Sequence, residues 1–364
     1  MVLLPGDTRW MKLALSLGRR GQGRTWPNPS VGCVIVKENQ VMGRGWTQAG
    51  GRPHGETQAL SQAGHHARGA TAYVTLEPCA HIGKTPPCAE ALIAAGIVRV
   101  VTAATDPDSR VAGRGHEILR RAGITVDTGC LAAEATLDHA GFFNRINLGR
   151  PYVTLKLAAS FDGRIATKSG ESQWITGAGA RRLVHLERAT HDAVMIGSGT
   201  AIADDPTLNV RDLGVTHQPI RLVCDTALKT DPGGKLGQSA RDIPLWICHG
   251  PKVTGSGWAG TDAKLIPCET DETGRLEMTD VLNKLAKAGL TRIFCEGGGQ
   301  LAASLLAADY VDRLVGFTAG LTLGADAIPA IAALPDGALA DQPRFVLDRV
   351  QKIGPDALHV WHRR

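Results

Sequence analysis

Apolar residues along the chain alternate between a period near 3.6 and a period of 2. Helical spacing predicts a helix over Met11–Leu17, and "VGCVIVKENQVMGRGW" (Val31–Trp46) predicts two strands around a turn at Glu38–Gln40. A helix is expected over His54–Gly64, a buried strand at "ATAYVTLEP" (Ala70–Pro78), and a helix over Cys88–Ala95 stopped by Gly96. The strand "VRVVTAATDP" (Val98–Pro107) and the helix "GHEILRRAGI" (Gly115–Ile124) follow. The pattern pauses at "NRINLGRP" (Asn144–Pro151) and restarts with the strand "YVTLKLAAS" (Tyr152–Ser160). Further strands are read at "HDAVMIGSGT" (His191–Thr200), "IRLVCD" (Ile220–Asp225), "PLWICHG" (Pro244–Gly250) and "TRIFCEGGG" (Thr291–Gly299), several with helices between them. Strands alternating with helices predict α/β architecture. The pause divides the chain into two unrelated domains, 1–146 and 147–364.

Composition changes this picture little. The 364 residues are 43% hydrophobic and 21% charged, as in an ordinary packed protein. Net charge is +5 with no block of like charges, so a nucleic-acid partner is not expected, while an anionic small molecule is compatible. No apolar run is long enough for a bilayer, and the N-terminus does not read as a signal peptide. Eight cysteines without framework spacing are read mostly as reduced core residues, which places the protein in the cytoplasm.

The candidate chemistry begins with His54-Gly55-Glu56, Pro78-Cys79 and Cys88. One imidazole and two thiolates suit zinc with a fourth position left for water. His81 is the one alternative fourth ligand. Zinc lowers the pKa of bound water to roughly 7, and Glu56, two residues from the histidine, is placed to carry the proton to a leaving amine. The order H-x-E then P-C matches the pattern of zinc nucleobase deaminases. His54 and Cys79 are each expected where a helix begins, so that the helix dipole favours a Cys79 thiolate.

The cysteines are eight residues apart, and the insert "AHIGKTPP" adds a histidine, a lysine and a diproline. In this the chain resembles the bifunctional riboflavin-biosynthesis deaminase/reductase family, as it does in "WPNPSVGCVIV" (Trp26–Val36), "GATAYVTLEPC" (Gly69–Cys79) and "DPDSRVAGRG" (Asp106–Gly115). Family members often carry His-Ala-Glu where this chain has Gly55. The resemblance implies a cytidine-deaminase-like α/β/α domain, one zinc ion on His54, Cys79 and Cys88, and Glu56 as the proton carrier. It places Asn28, His81 and Lys84 against the pyrimidine or its phosphoribosyl group.

The second half has no Walker loop and no G-x-G-x-x-G after its first strand. It does have Glu296-Gly297-Gly298-Gly299 between a strand and a helix, a turn that lets backbone amides approach an anion. "LKLAASFDGRIA" (Leu155–Ala166), "SGESQWITG" (Ser169–Gly177), "GSGTAIADDPTLNVR" (Gly197–Arg211) and "EGGGQLAASLL" (Glu296–Leu306) resemble the reductase domain of the same family. That resemblance implies a dihydrofolate-reductase-like α/β fold and NADPH. The coenzyme contacts it implies are Ala158, Trp174, Thr200, Asp204, Thr226, Gly298, Gly299, Gln300, Leu301, Ala302, Ala303 and Ser304. The substrate contacts are Lys156, Ser172, Arg188, Leu208, Arg211 and Glu296, with Arg188 and Arg211 suited to a phosphate and Asp204 and Glu296 to ribose hydroxyls. A small phosphorylated pyrimidine is the expected substrate, and a homo-oligomer is expected. The weighed alternatives are an RNA or nucleoside deaminase with a C-terminal binding domain, and a zinc-stabilised scaffold without catalysis. The cysteine spacing and the mild charge oppose the first, and Glu56 opposes the second.

Overall fold

The computed structural model describes residues 4–80, 86–108 and 112–364, so His81 and Lys84 lie outside the described residues. The chain divides into two compact units, Met1–Arg150 and Pro151–Arg364.

The first unit carries a five-stranded sheet in the order β2-β1-β3-β4-β5: β1 (Gly32–Lys37), β2 (Gln40–Trp46), β3 (Thr71–Leu76), β4 (Arg99–Ala104) and β5 (Thr125–Asp127). β1 runs antiparallel to β2 and β3, while β3, β4 and β5 are parallel. Strand periodicity sorts the core into two layers. Cys33, Ile35, Val74 and Val100 pack with α2 (Gly55–Ala63), α3 (Cys88–Ala94) and α4 (Arg114–Arg121). Val34, Val36, Tyr73 and Val101, one residue out of phase, pack with α1 (Asp7–Arg19) and α5 (Ala132–Asn147). The result is an α/β/α sandwich. The β1–β2 turn has Glu38 and Asn39 both at positive φ, the conformation that a two-residue hairpin loop demands. α5 was not read from the sequence. It runs through the expected domain boundary to Asn147.

The second unit holds a nine-stranded sheet with β6 (Tyr152–Ser160) well inside it, and a separate two-stranded pair, β7 (Arg164–Ala166) with β14 (Ile328–Pro329). From one edge the order is β11 (Lys264–Pro267), β10 (Leu245–His249), β9 (Ile220–Cys224), β8 (Ala193–Gly197), β12 (Arg292–Gly297), β6, β13 (Arg313–Ala319), β16 (Asp356–Arg363) and β15 (Phe345–Ile353). The seven strands from β11 to β13 are parallel, and β15 and β16 add an antiparallel hairpin. β12, late in sequence, enters between β8 and β6. Strand order therefore reverses there, and such a switch opens a crevice beyond the carboxyl ends of the strands. The strand expected over His191–Thr200 ends at Gly197. Ser198 begins α7 (Ser198–Asp204), which puts Thr200 and Asp204 on a helix.

Candidate active sites

The first site forms where α2 and α3 begin. His54 is the N-cap of α2, and Glu56 lies in its first turn, buried at 3% exposure. Gly55 between them packs tightly: a Cβ there would sit 2.6 Å from the Val31 carbonyl oxygen and would force the two segments apart. Glycine therefore seats the start of α2 directly on the strand-entry segment. Cys79 follows β3, and Cys88 is the first residue of α3.

The helix expected over Cys88–Ala95 is found at Cys88–Ala94, directly after Pro86-Pro87, whereas Cys79, also read as standing at a helix start, lies outside any helix in the segment after β3; proline is tolerated just before or at the first turn of a helix but not within it. Even so, the helix amide reaches the other sulfur, because Cys88 N–H donates to Cys79 Sγ at 3.2 Å. His54 Nδ1 lies 3.3 Å from Cys88 Sγ and 3.7 Å from Cys79 Sγ. All three ligand atoms fall within 4.8 Å of one another. A tetrahedral ion with bonds of about 2.0 Å to nitrogen and about 2.3 Å to sulfur holds its ligand atoms roughly 3.5 Å apart, so the residues fit zinc.

Electrostatics agree. The Cys88 thiol donates to Cys79, which brings Cys79 well below the ordinary thiol range, and the same contact pushes Cys88 up. Its contact with Cys79 raises His54. Burial lifts Glu56 to about 7 against the pull of His54. Glu56 Oε2 is buried without a hydrogen-bond partner among the described residues. A buried carboxylate oxygen left unpaired is costly, and here it stands beside three clustered ligand atoms. Asn28 sits in a turn closed by Asn28 N–H to the Thr25 carbonyl, with its side chain against Gly51.

The second site is a cleft of about 1340 Å³ beyond the carboxyl ends of β6, β8, β9 and β12. Sixteen of the eighteen residues expected there line it: Lys156, Ala158, Ser172, Trp174, Arg188, Thr200, Asp204, Leu208, Arg211, Thr226, Glu296, Gly298, Gly299, Gln300, Leu301 and Ser304. Ala302 and Ala303 do not line it. They are 0% and 6% exposed on α10 (Gly299–Ala307), because a helix cannot present seven consecutive residues to one ligand. Gly298 has φ +85°, and a Cβ there would stand 2.9 Å from Thr200 Oγ1. Only glycine brings α10 this close to α7.

Arg188, at the end of α6 (Ala178–Ala189), directs its guanidinium fork to both oxygens of Glu296, with Nη2 to Oε2 at 3.0 Å, and to the Asn209 carbonyl at 2.8 Å. The two side chains are 12% and 11% exposed. Both residues expected to meet substrate thus meet each other. Burial acts to raise Glu296, yet Arg188 beside it brings the carboxylate below its ordinary range. Arg211 is half-exposed, 3.7 Å from Asp212, and its charge is the more available. Burial lowers Lys156, opposed by Glu296, and raises Asp204. The sequence reading missed Ser198, His185 and Lys235, all lining the cleft. His185 is one helical turn before Arg188, so the 3.6 period was the signal for it.

Residues 151–359 match the RibD C-terminal domain, and residues 5–104 match the cytidine and deoxycytidylate deaminase zinc-binding region. The riboflavin biosynthesis protein RibD of Escherichia coli (strain K12) is 42% identical over 368 residues, covering 97% of this chain and 99% of that protein. RibD of Aquifex aeolicus is 37% identical, covering 98% of each. Among solved structures, Acinetobacter baumannii RibD superposes with a TM-score of 0.88 at 38% identity, over 98% of this chain and 99% of that one. The Thermotoga maritima diaminohydroxyphosphoribosylaminopyrimidine deaminase/5-amino-6-(5-phosphoribosylamino)uracil reductase does so with a TM-score of 0.87 at 29% identity, over the same shares. With a deaminase-type zinc region in one unit and a reductase fold in the other, the chain belongs to the RibD family of bifunctional deaminase/reductases of riboflavin biosynthesis.

Proposed function

We propose that the first unit hydrolyses the C2 amino group of 2,5-diamino-6-(5-phosphoribosylamino)pyrimidin-4(3H)-one. The exocyclic C2–N bond is broken and C2=O is formed, with water consumed and ammonia released. The second unit then reduces the ribosyl side chain of the product to ribityl. The observation that carries the first assignment is the unpaired Glu56 Oε2 beside the clustered His54, Cys79 and Cys88 atoms. His54, Cys79 and Cys88 hold zinc, which when bound acidifies a water molecule and polarises the reacting carbon. Glu56, buried beside these ligands, accepts the water proton and returns it to the departing amine.

NADPH, when bound, supplies hydride to the second unit. The size of the cleft supports two ligands: about 1340 Å³ exceeds the roughly 300–1,000 Å³ of a single-ligand pocket. Thr200, Asp204 and the Gly298–Leu301 turn form the coenzyme side. Lys156, Glu296 and Arg211 form the substrate side, with Arg211 taking the phosphate and Arg188 holding Glu296 in place. Eight free cysteines, most of them buried, suit a reducing cytoplasm. Among the described residues no helix is long and apolar enough to cross a membrane. The test is incubation of the full chain with the diaminopyrimidine phosphate, with and without NADPH, followed by product mass. Deaminated product alone without NADPH, and the ribityl compound with it, is the expected result. Unchanged substrate in both arms would sink the proposal.

A further inference from the structure

Glu77 belongs to neither site as described, yet few carboxylates in the chain are so deeply placed. Its side chain has no solvent exposure. Among the described residues, the basic group within ion-pair distance is His116 Nδ1 at 3.8 Å, which burial keeps toward neutral. Its partners are backbone amides instead. Oε2 accepts from Gly113 N–H at 2.9 Å and Asp106 N–H at 3.3 Å, and Oε1 accepts from Gly115 N–H at 2.9 Å and His116 N–H at 3.3 Å.

Those amides identify its role. α4 begins at Arg114, its N-cap is Gly113, and its own sequence supplies no capping side chain. The first amides of a helix have no intrahelical acceptors, and a negative charge there is favourable. Glu77 is therefore the cap of α4, supplied from the segment that leads from β3 to Cys79. The contact is closed from the other side by Gly115. A Cβ there would stand 2.0 Å from the Pro78 carbonyl oxygen and 3.2 Å from Glu77 Cγ. α4 thus bears directly on the residue before Cys79, while Glu77 N–H donates to the Ala104 carbonyl and ties the same segment to β4.

We propose that Glu77 is a positioning residue for the metal centre: by capping α4 and clamping it on Pro78, it holds Cys79 Sγ at ligand distance from His54 and Cys88. The inference rests on the zinc reading above. It also gives a role to the ends of the Asp106–Gly115 stretch, which supply amides to Glu77.

The experiment measures zinc affinity of the full chain by competition with a chromophoric chelator, and the visible spectrum of the cobalt(II)-loaded protein, whose thiolate bands report Cys79. Glu77→Gln keeps the shape of the side chain but opposes amides with an amide. It is expected to weaken zinc about tenfold to hundredfold, the usual effect of losing a partner behind a ligand, and to shift the cobalt bands. Gly115→Ala removes no hydrogen bond but displaces Pro78, and is expected to act in the same direction. Leu15→Ala, in the core on the opposite face of the sheet, lowers the melting temperature but leaves zinc affinity and spectrum as in the unaltered chain. If Glu77→Gln does not fold, Gly115→Ala and Glu77→Asp decide on the same two readings. Wild-type affinity and spectrum in the Glu77 or Gly115 variant would overturn the inference, as would an equal zinc loss in Leu15→Ala. Failure of the unaltered chain to bind zinc would instead bring down the zinc reading itself.

Discussion

The two candidate sites solve different problems. The first gathers four side chains from three short stretches, at the starts of α2 and α3 and after β3, and buries the decisive carboxylate. The second spreads over the ends of four parallel strands and the helices after them, around a large open cleft. Water activation needs few atoms at contact distance, with their proton affinities set by burial and each other. Hydride transfer between two sizeable molecules needs area and orientation, and tolerates a more even division of labour. Single substitutions should therefore act nearly all-or-none at the first site and by degrees at the second.

The sharpest break would come from the metal ligands. Cys88→Ser, or chelation of the unaltered chain, should abolish deamination while the full chain still oxidises NADPH with already deaminated substrate. Metal analysis and two separate assays check this, and a metal requirement in the reductive step would erase the contrast. Glu56→Gln should keep its zinc and lose about 10²–10⁴-fold in deamination rate; near-normal turnover would remove Glu56 from the mechanism.

In the cleft, Arg188→Ala leaves Glu296 buried without its partner, a change expected to cost about 3–5 kcal/mol of stability. Denaturant unfolding followed by near-ultraviolet signal measures it. Arg211→Ala removes only a half-exposed charge. It should raise substrate KM about tenfold to hundredfold, equivalent to roughly 1.5–3 kcal/mol, and change NADPH KM far less. Lysine at that position should restore part of the loss, since it lacks the planar fork. If NADPH binding is the main defect, the division of the cleft into two sides is wrong.

The smallest effect concerns pH. Glu296 has a folded pKa below its unfolded value near 4.3. Its contribution to stability is therefore complete above the unfolded value and fades as pH falls through the folded one. The difference in melting temperature between the unaltered chain and Glu296→Gln should accordingly shrink on acidification below about pH 4. A difference that grows there would contradict the Arg188–Glu296 geometry.

The candidates for the first site were legible in the chain because their chemistry depends on residue type in a recognisable order, whereas those for the cleft came from the family resemblance, and sixteen of the eighteen line it. His54, Glu56, Cys79 and Cys88 carry donor atoms that few other residues supply, and the strands and helices bearing them show their periods locally. Legibility failed where a neighbour distant in sequence decides. Cys79, read as a helix start, lies outside any helix and meets the first amide of α3, at Cys88, only through folding. α5 and the β15–β16 hairpin went unread. α5 shows no sustained apolar stripe, and β15 is largely exposed, so neither carries a strong pattern.

The chain order alone carried the α/β class and the two-unit organisation, which follow from local period, and it offered His54, Cys79 and Cys88 as candidate ligands, which follow from their resemblance to a known pattern and which the fold brings within 4.8 Å of one another. Tertiary structure alone decided which groups are spent on each other. Arg188 and Glu296 are 108 residues apart and form one buried pair. Gly55 lets the start of α2 approach the Val31 carbonyl closely, and Glu77 caps a helix that begins 37 residues later. Such partnerships depend on distance in space, burial and hydrogen-bond direction, and the linear order of residues encodes none of these until the sheets have formed.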